Sequence, residues 1–323
     1  MSEEGLVAAY RLDGRGGGKP LDWEGISTWQ PGDGVLWVHL NRQFEDAQRW
    51  LRERSGLDEV IVDALLAEET RPRCVQMGNG VMLFLRGVNL NPGADPEDMV
   101  SIRLWVEATR IVSVRLRRLL SVSDLRREID KGQGPRDVGG FVDELSGRLI
   151  SRMADVVMEI DDKVDEIQDR ILVAESRQLR TELSQLRREI IALRRYLAPQ
   201  RDALARLAQV KADWLKEVHA NRLREEADRV TRYVEDLDAA RERAAVTQEE
   251  LASRLAEQLN SRMYVLSVVA GVFLPLGFLT GLLGINVGGI PMAENPAGFI
   301  SVVVVMVGII IAEVLIFRWR RWL

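Results

Sequence analysis

Asn260 stands at the edge of a long apolar stretch near the C-terminus. An amide there is costly without water, an ion or a partner, so it points to an aqueous path. Steps of 3 and 4 residues from Asn260 reach Met263, Ser267, Ala270, Leu274, Gly277, Gly281 and Gly284. Six of these eight positions are small or polar, which no purely lipid-facing helix needs. Such a stripe has two uses: close helix–helix packing, or a pore wall built from several copies. Two helices per chain cannot enclose water, so a pore requires an oligomer. The other side carries Leu266, Val269, Phe273, Leu276 and Leu283, which suits lipid or a second helix. Further on, Glu313 is a lone charge inside an apolar run, five residues before Arg318. It either pairs or snorkels to the interface, or serves as a protonatable site coupled to metal movement.

These side chains need membrane helices to hold them. Tyr264–Leu283 is a 20-residue apolar run, and no Asp, Glu, Lys or Arg occurs from Met263 to Ala293. About 20 such residues span the ~30 Å hydrocarbon core. A second run, Ala297–Phe317, carries Glu313 as its charge. The loop between, Gly284–Pro296, holds Glu294. Arg318, Arg320 and Arg321 follow the second span, with Trp319 and Trp322 among them. Positive residues and Trp favour the cytoplasmic interface. The hairpin is therefore expected to have both ends in the cytoplasm. MSEEGLVAAYRLDG starts acidic and lacks the apolar core of a signal peptide, so residues 1–262 are expected to be cytoplasmic.

Composition narrows the function classes. Lys+Arg total 44 against 49 Asp+Glu, a net charge of −5, which argues against a nucleic-acid partner. Cys74 is the single cysteine, so there is no internal disulfide and no multi-cysteine zinc site. His39 and His219 are too far apart in sequence to form a local metal motif. A length of 323 residues allows about two domains. No cofactor is implied, and the chain reads as no enzyme.

Strand patterns fall at Leu6–Leu12, Val35–Leu40, Arg73–Met77, Val81–Val88, Val100–Ala108 and Arg110–Leu116. Helical ones fall at Phe44–Arg54, Glu59–Ala67 and after Ser123. Reversals at Gly78–Gly80 and Ala108–Arg110 predict antiparallel pairing. The stretch GRGGGK (Gly14–Lys19) fails the phosphate-loop spacing and reads as a solvated loop. From Phe141 to Ile171 and from Leu179 to Leu197, apolar residues recur every 3 or 4 positions, which marks long amphipathic helices. A helix from about 220 to 283 would measure about 95 Å and needs partners along its length. The predicted domains are an α/β region over 1–135, long helices and stalk over 136–262, and a transmembrane hairpin over 263–323.

The run FLPLGFLTGLLGINVGGIP (Phe273–Pro291) resembles the CorA family of divalent-cation transporters. That family carries Gly-Met-Asn at the end of its first membrane helix, where this chain has Gly284-Ile285-Asn286. The Gly-Ile-Asn variant, followed by Val-Gly-Gly-Ile-Pro, looks like the family's zinc-transporter branch, ZntB. The resemblance implies a homopentamer in the lipid bilayer, its first span lining a central pore. It implies a CorA-like funnel: an α+β cytoplasmic domain, a long α-helical stalk and a two-helix C-terminal transmembrane hairpin. Val138–Val173 and Gln178–Ala208 would be two shorter helices beside the stalk, with Pro199 inside the second. Asn286 would form an outer ring for a hydrated cation, with Gly284 and Ile285 completing the motif. Five Glu294 residues would concentrate cations at that mouth. Asn260 would ring the inner mouth, and Met263 and Leu274 would be apolar constrictions that gate by dewetting. The branch implies Zn2+ as cargo, linked to proton movement. The stripe lacks the His and Cys ligands zinc prefers, so a CorA-type Mg2+ or Co2+ channel stays open. A membrane-anchored coiled-coil scaffold is the reading from another class.

Overall fold

The computed structural model describes residues 5–173, 177–284 and 295–319. It divides into two compact units, one ending at Gln248 and the other starting at Glu249.

In the first unit, strands of alternating or wholly apolar pattern build one sheet. They are β1 (Leu6–Leu12), β2 (Gly18–Pro20), β3 (Val35–Asn41), β4 (Arg73–Met77), β5 (Gly80–Gly87), β6 (Val100–Val106) and β7 (Arg110–Arg115). Their spatial order is β2-β1-β3-β7-β6-β5-β4. Neighbours pair antiparallel except β3 and β7, which run parallel with Val38 opposite Val112. The turn signals in the sequence speak only for adjacent strands, so this long-range parallel pair was not foreseen.

Side-chain alternation splits the sheet into two buried faces. Leu36, Val38, Leu40, Val112 and Val114 pack with α2 (Glu45–Glu53) and α3 (Glu59–Leu66) through Trp50, Leu51, Val62 and Leu65. A short helix, α1 (Trp23–Thr28), is started by Asp22, whose Oδ1 accepts from Gly25 N at 2.8 Å. On the other face Trp37 meets Phe141 edge-on at 4.9 Å. Phe141 belongs to α5 (Val138–Val173), which follows α4 (Leu120–Asp130). Gly87 is required by close approach: a Cβ there would lie 2.8 Å from Leu149 Cδ2 of α5.

The Gly14–Lys19 reading needs correction. Asp13 Oδ1 accepts from Arg15 N at 2.7 Å and from Gly17 N at 2.9 Å, which closes a turn. Gly18–Pro20 then pairs with β1 as β2. Gly134 N donates to Gly16 O at 2.7 Å, tying the turn to the segment before α5. Gly14–Gly17 is the loop that local composition favours, and the turn closed by Asp13 returns the chain against β1 so that Gly18–Pro20 becomes an edge strand.

The long helices are α5, α6 (Arg177–Leu207, with Pro199 inside it) and α7 (Glu217–Leu283, 67 residues). The periodic apolar residues of α5 from Phe141 to Ile171, and of α6 from Leu179 to Leu197, are buried. Within the first unit, ion pairs lace α7 to its neighbours. Arg222 lies 3.1 Å from Asp143, Arg243 2.7 Å from Asp165, and Arg194 of α6 2.6 Å from Asp238. Asp143 is buried, but the other partners are exposed and such pairs are worth little, so helix packing carries most of the stability. The last described helix is α8 (Gly298–Trp319). Both α7 and α8 are long and apolar enough to cross a membrane.

Candidate functional site

The candidate site lies in the second unit. Its hydroxyls are satisfied inside their own helix, as hydrocarbon surroundings demand. Ser267 Oγ donates to Met263 O at 2.8 Å, and Thr280 Oγ1 to Leu276 O at 3.0 Å. The helical bonding of α7 closes where Gly284 N donates to Thr280 O at 3.0 Å.

Two faces of α7 differ. Val268, Gly271, Val272 and Leu279 are half-buried and Leu276 is 9% exposed. The matching face of α8 is its half-buried stripe, which includes Val302, Met306, Ile309, Glu313 and Phe317. A Cβ on Gly271 would lie 3.0 Å from Phe317 Cζ, so this is where the two helices approach most tightly among the glycines of α7. About half a turn away runs the small-residue stripe. Asn260, Ser267, Gly277, Gly281 and Gly284 are exposed, as are Met263 at 66% and Leu274 at 71%; Ala270 is half-buried. Nothing lies within 4 Å of a Cβ built on Gly277 or Gly281. The stripe is therefore not consumed by packing against α8. Leu266, Val269 and Phe273 are exposed as well, while Leu276 is covered.

Of the expected Gly284-Ile285-Asn286 motif, Gly284 is described; Ile285, Asn286 and the loop residue Glu294 lie outside the described residues. Glu313 is not on the stripe. It sits on the α8 face that turns to α7, and its Oε2 is buried without a hydrogen-bond partner. Sequence reasoning missed Gly271 and Pro275. Gly271 is one position off the small-residue stripe, and a small residue out of register was the available signal. Pro275 lies inside α7 and has no N–H, so the carbonyl of Gly271 loses its helical donor.

The two histidines serve the first unit separately. His39 is fully enclosed, and burial, with Arg115 and Arg126 nearby, pushes it down to about 3. Its Nδ1 lies 2.8 Å from Ser113 Oγ. His219 sits at the start of α7 against Asp137 and Asp143. Among the described residues no group of three or more His, Cys, Asp or Glu side chains is placed to hold a metal ion.

A family profile described as CorA-like Mg2+ transporter protein matches residues 32–321. The chain belongs to this family. It is a CorA-family divalent-cation transporter with C-terminal membrane helices, and not an enzyme. It is 43% identical over 325 residues to the divalent cation transporter CmaX of Pseudomonas aeruginosa, covering 99% of this chain and 98% of that one. It is 34% identical over 317 residues to the zinc transport protein ZntB of Yersinia enterocolitica, covering 98% and 96%. The structure of full-length CmaX superimposes with a TM-score of 0.87 at 42% identity, over 100% of this chain and 99% of that one. The CorA magnesium transporter of Methanocaldococcus jannaschii gives 0.81 at 18% identity, over 98% and 99%, a likeness of fold. The mixed α/β region, the 67-residue helix and the apolar C-terminal helix thus form a CorA-like fold.

Proposed function

We propose that this CorA-family chain carries zinc, linked to protons, through the centre of a homopentamer in the cell (inner) membrane, both termini cytoplasmic. The observation that carries the pore reading is the open stripe of α7, turned away from α8 and leading to Gly284-Ile285-Asn286. Five copies with that face inward would line a path with Asn260, Ser267, Ala270, Gly277 and Gly281, narrowed by Met263 and Leu274. Asn286 takes the outer ring, with its amide oxygens replacing or holding part of the hydration shell. Glu294 raises the local cation concentration.

Zinc as cargo rests on the Gly-Ile-Asn variant and on 34% identity to a protein named for zinc transport. The second reading, Mg2+ or Co2+, rests on the absence of His and Cys from the stripe and on the amide and hydroxyl oxygens of Asn260 and Ser267. Membership of a transporter family over residues 32–321 replaces the scaffold reading. The deciding experiment is flux in proteoliposomes of the purified chain, comparing Zn2+, Mg2+ and Co2+ with and without a pH gradient. Zinc flux that follows the gradient supports the proposal. Magnesium flux without zinc flux replaces the cargo, and zinc flux indifferent to the gradient removes the proton link.

A further inference from the structure

Glu313 and Pro275 are each anomalous in a membrane hairpin. Glu313 brings a carboxyl group into an apolar helix, and its Oε2 is shut in without a partner. Pro275 interrupts the bonding of α7 and leaves the Gly271 carbonyl without its donor. The helix contact places the two anomalies at one level of the hairpin. Phe317 packs at Gly271. The hairpin is antiparallel, so one turn back along α8 and one turn forward along α7 reach the same level. Those turns lead from Phe317 to Glu313 and from Gly271 to Pro275. Glu313 shares the half-buried stripe of α8 with Phe317, which puts it on the side of α8 that meets α7, while Pro275 itself is exposed.

We propose that Glu313 is the proton-binding site of the transport cycle and acts on the pore helix through the Gly271 carbonyl. A proton taken from water converts the carboxylate to the acid, whose O–H donates to the Gly271 oxygen. That replaces the donor lost at Pro275 and holds α7 to α8. Release of the proton to water leaves a carboxylate facing a carbonyl oxygen. The two repel, and α7 bends at Pro275, the ordinary site of a helix kink. The bend moves Leu274 and Gly277, which flank Pro275 on the pore stripe. Few other charges compete. Between Met263 and Leu283, α7 offers Tyr264 as its titratable side chain, and α8 itself offers exposed Arg318. The inference rests on the transport reading for its consequence, but the proton site can be read out without flux.

The test uses the full-length protein in lipid nanodiscs and in proteoliposomes. Infrared difference spectra between about pH 5 and about pH 8 should show a protonated-carboxyl C=O band that Glu313→Gln removes. Pro275→Ala restores the backbone N–H, so it should shift that band towards a weaker hydrogen bond. In flux, the wild type should change by about fivefold or more across this range. Glu313→Gln, a mimic of the acid, should behave at every pH as the wild type does at the acid end. Pro275→Ala should flatten the pH dependence. A band untouched by Glu313→Gln overturns the proposal, as does a Glu313→Gln protein that keeps the wild-type pH response. If Glu313→Gln does not assemble, an unshifted band and an unchanged response in Pro275→Ala overturn it instead. Absence of any metal flux from the wild type sinks the transport reading, while the infrared result still decides the proton site.

Discussion

His219 Nε2 stands 3.2 Å from Asp137 Oδ1 and so joins the start of α7 to the residue preceding α5. The same carboxylate lies 2.7 Å from Lys216 Nζ and accepts from Gly140 N at 2.7 Å. The other ring nitrogen, Nδ1, is 3.5 Å from Asp143 Oδ2. Burial by itself would raise the Asp137 carboxyl, but Lys216, the Gly140 N–H and His219 together hold it below its usual value.

A depressed carboxyl stabilises the folded chain above its unfolded pKa, about 3.9, and loses that contribution as pH falls through the folded value. Asp137→Asn should therefore lower the melting temperature of the full-length protein at neutral pH. The gap to wild type should close as pH drops below about 4. Thermal unfolding across pH checks this. A gap that persists unchanged into acid would show that the carboxylate charge is not what joins the two helix starts.

Gly271 is where the membrane hairpin closes on Phe317. Gly271→Leu should cost about 1–3 kcal/mol by overpacking. Adding Phe317→Ala to it should recover part of the loss, because the two side chains share one space. Thermal unfolding of the single and double variants measures the coupling. Strict additivity would mean that Gly271 does not meet Phe317.

The stripe predicts a pattern of chemical access. With Cys74 replaced, single cysteines at Ser267, Ala270, Gly277 and Gly281 should react with small water-soluble thiol reagents in a conducting state. Cysteines at Val269, Phe273 and Leu276 should not, since Val269 and Phe273 lie off the stripe on the apolar side and Leu276 is buried. The two groups interleave in depth, so depth cannot explain a difference. Labelling confined to the Val269 side would put the pore on another face of α7.

On the proposed pore reading, Asn286→Ala should abolish or strongly reduce cation flux, by about tenfold or more, while the oligomer survives. Full flux from an assembled Asn286→Ala protein would remove its role. Glu294→Gln should lower flux most at low ionic strength, because on the proposed pore its charge acts at a distance through a potential screened over about 10 Å at 0.1 M salt. A loss independent of salt would mean direct ligation.

The sequence alone determined much of this protein, because much of it is governed by local periodicity. Alternation placed β1 and β3–β7 within a residue or two, and 3/4 spacing placed Phe141–Ile171 of α5 and Leu179–Leu197 of α6, while the continuation of α6 through Pro199 came from the family resemblance. Hydropathy placed both spans, and the position of Gly284-Ile285-Asn286 at a span's exit pointed to the CorA family. Pairings between distant residues were not legible. The Gly134–Gly16 backbone bond, which ties the Asp13 turn to the segment before α5, was one. The parallel match of Val38 to Val112 was another, since no turn joins those strands. In the hairpin, residue types on each helix were readable, but which face of α7 meets α8 was not. Val269 and Leu276 look alike in sequence, yet one is open and the other covered. That choice depends on Gly271 letting Phe317 approach, and the same contact leaves Glu313 on the half-buried side of α8. A helix's own pattern fixes its stripes, whereas the rotation of one helix against another is set by side-chain volumes that meet only in the folded chain.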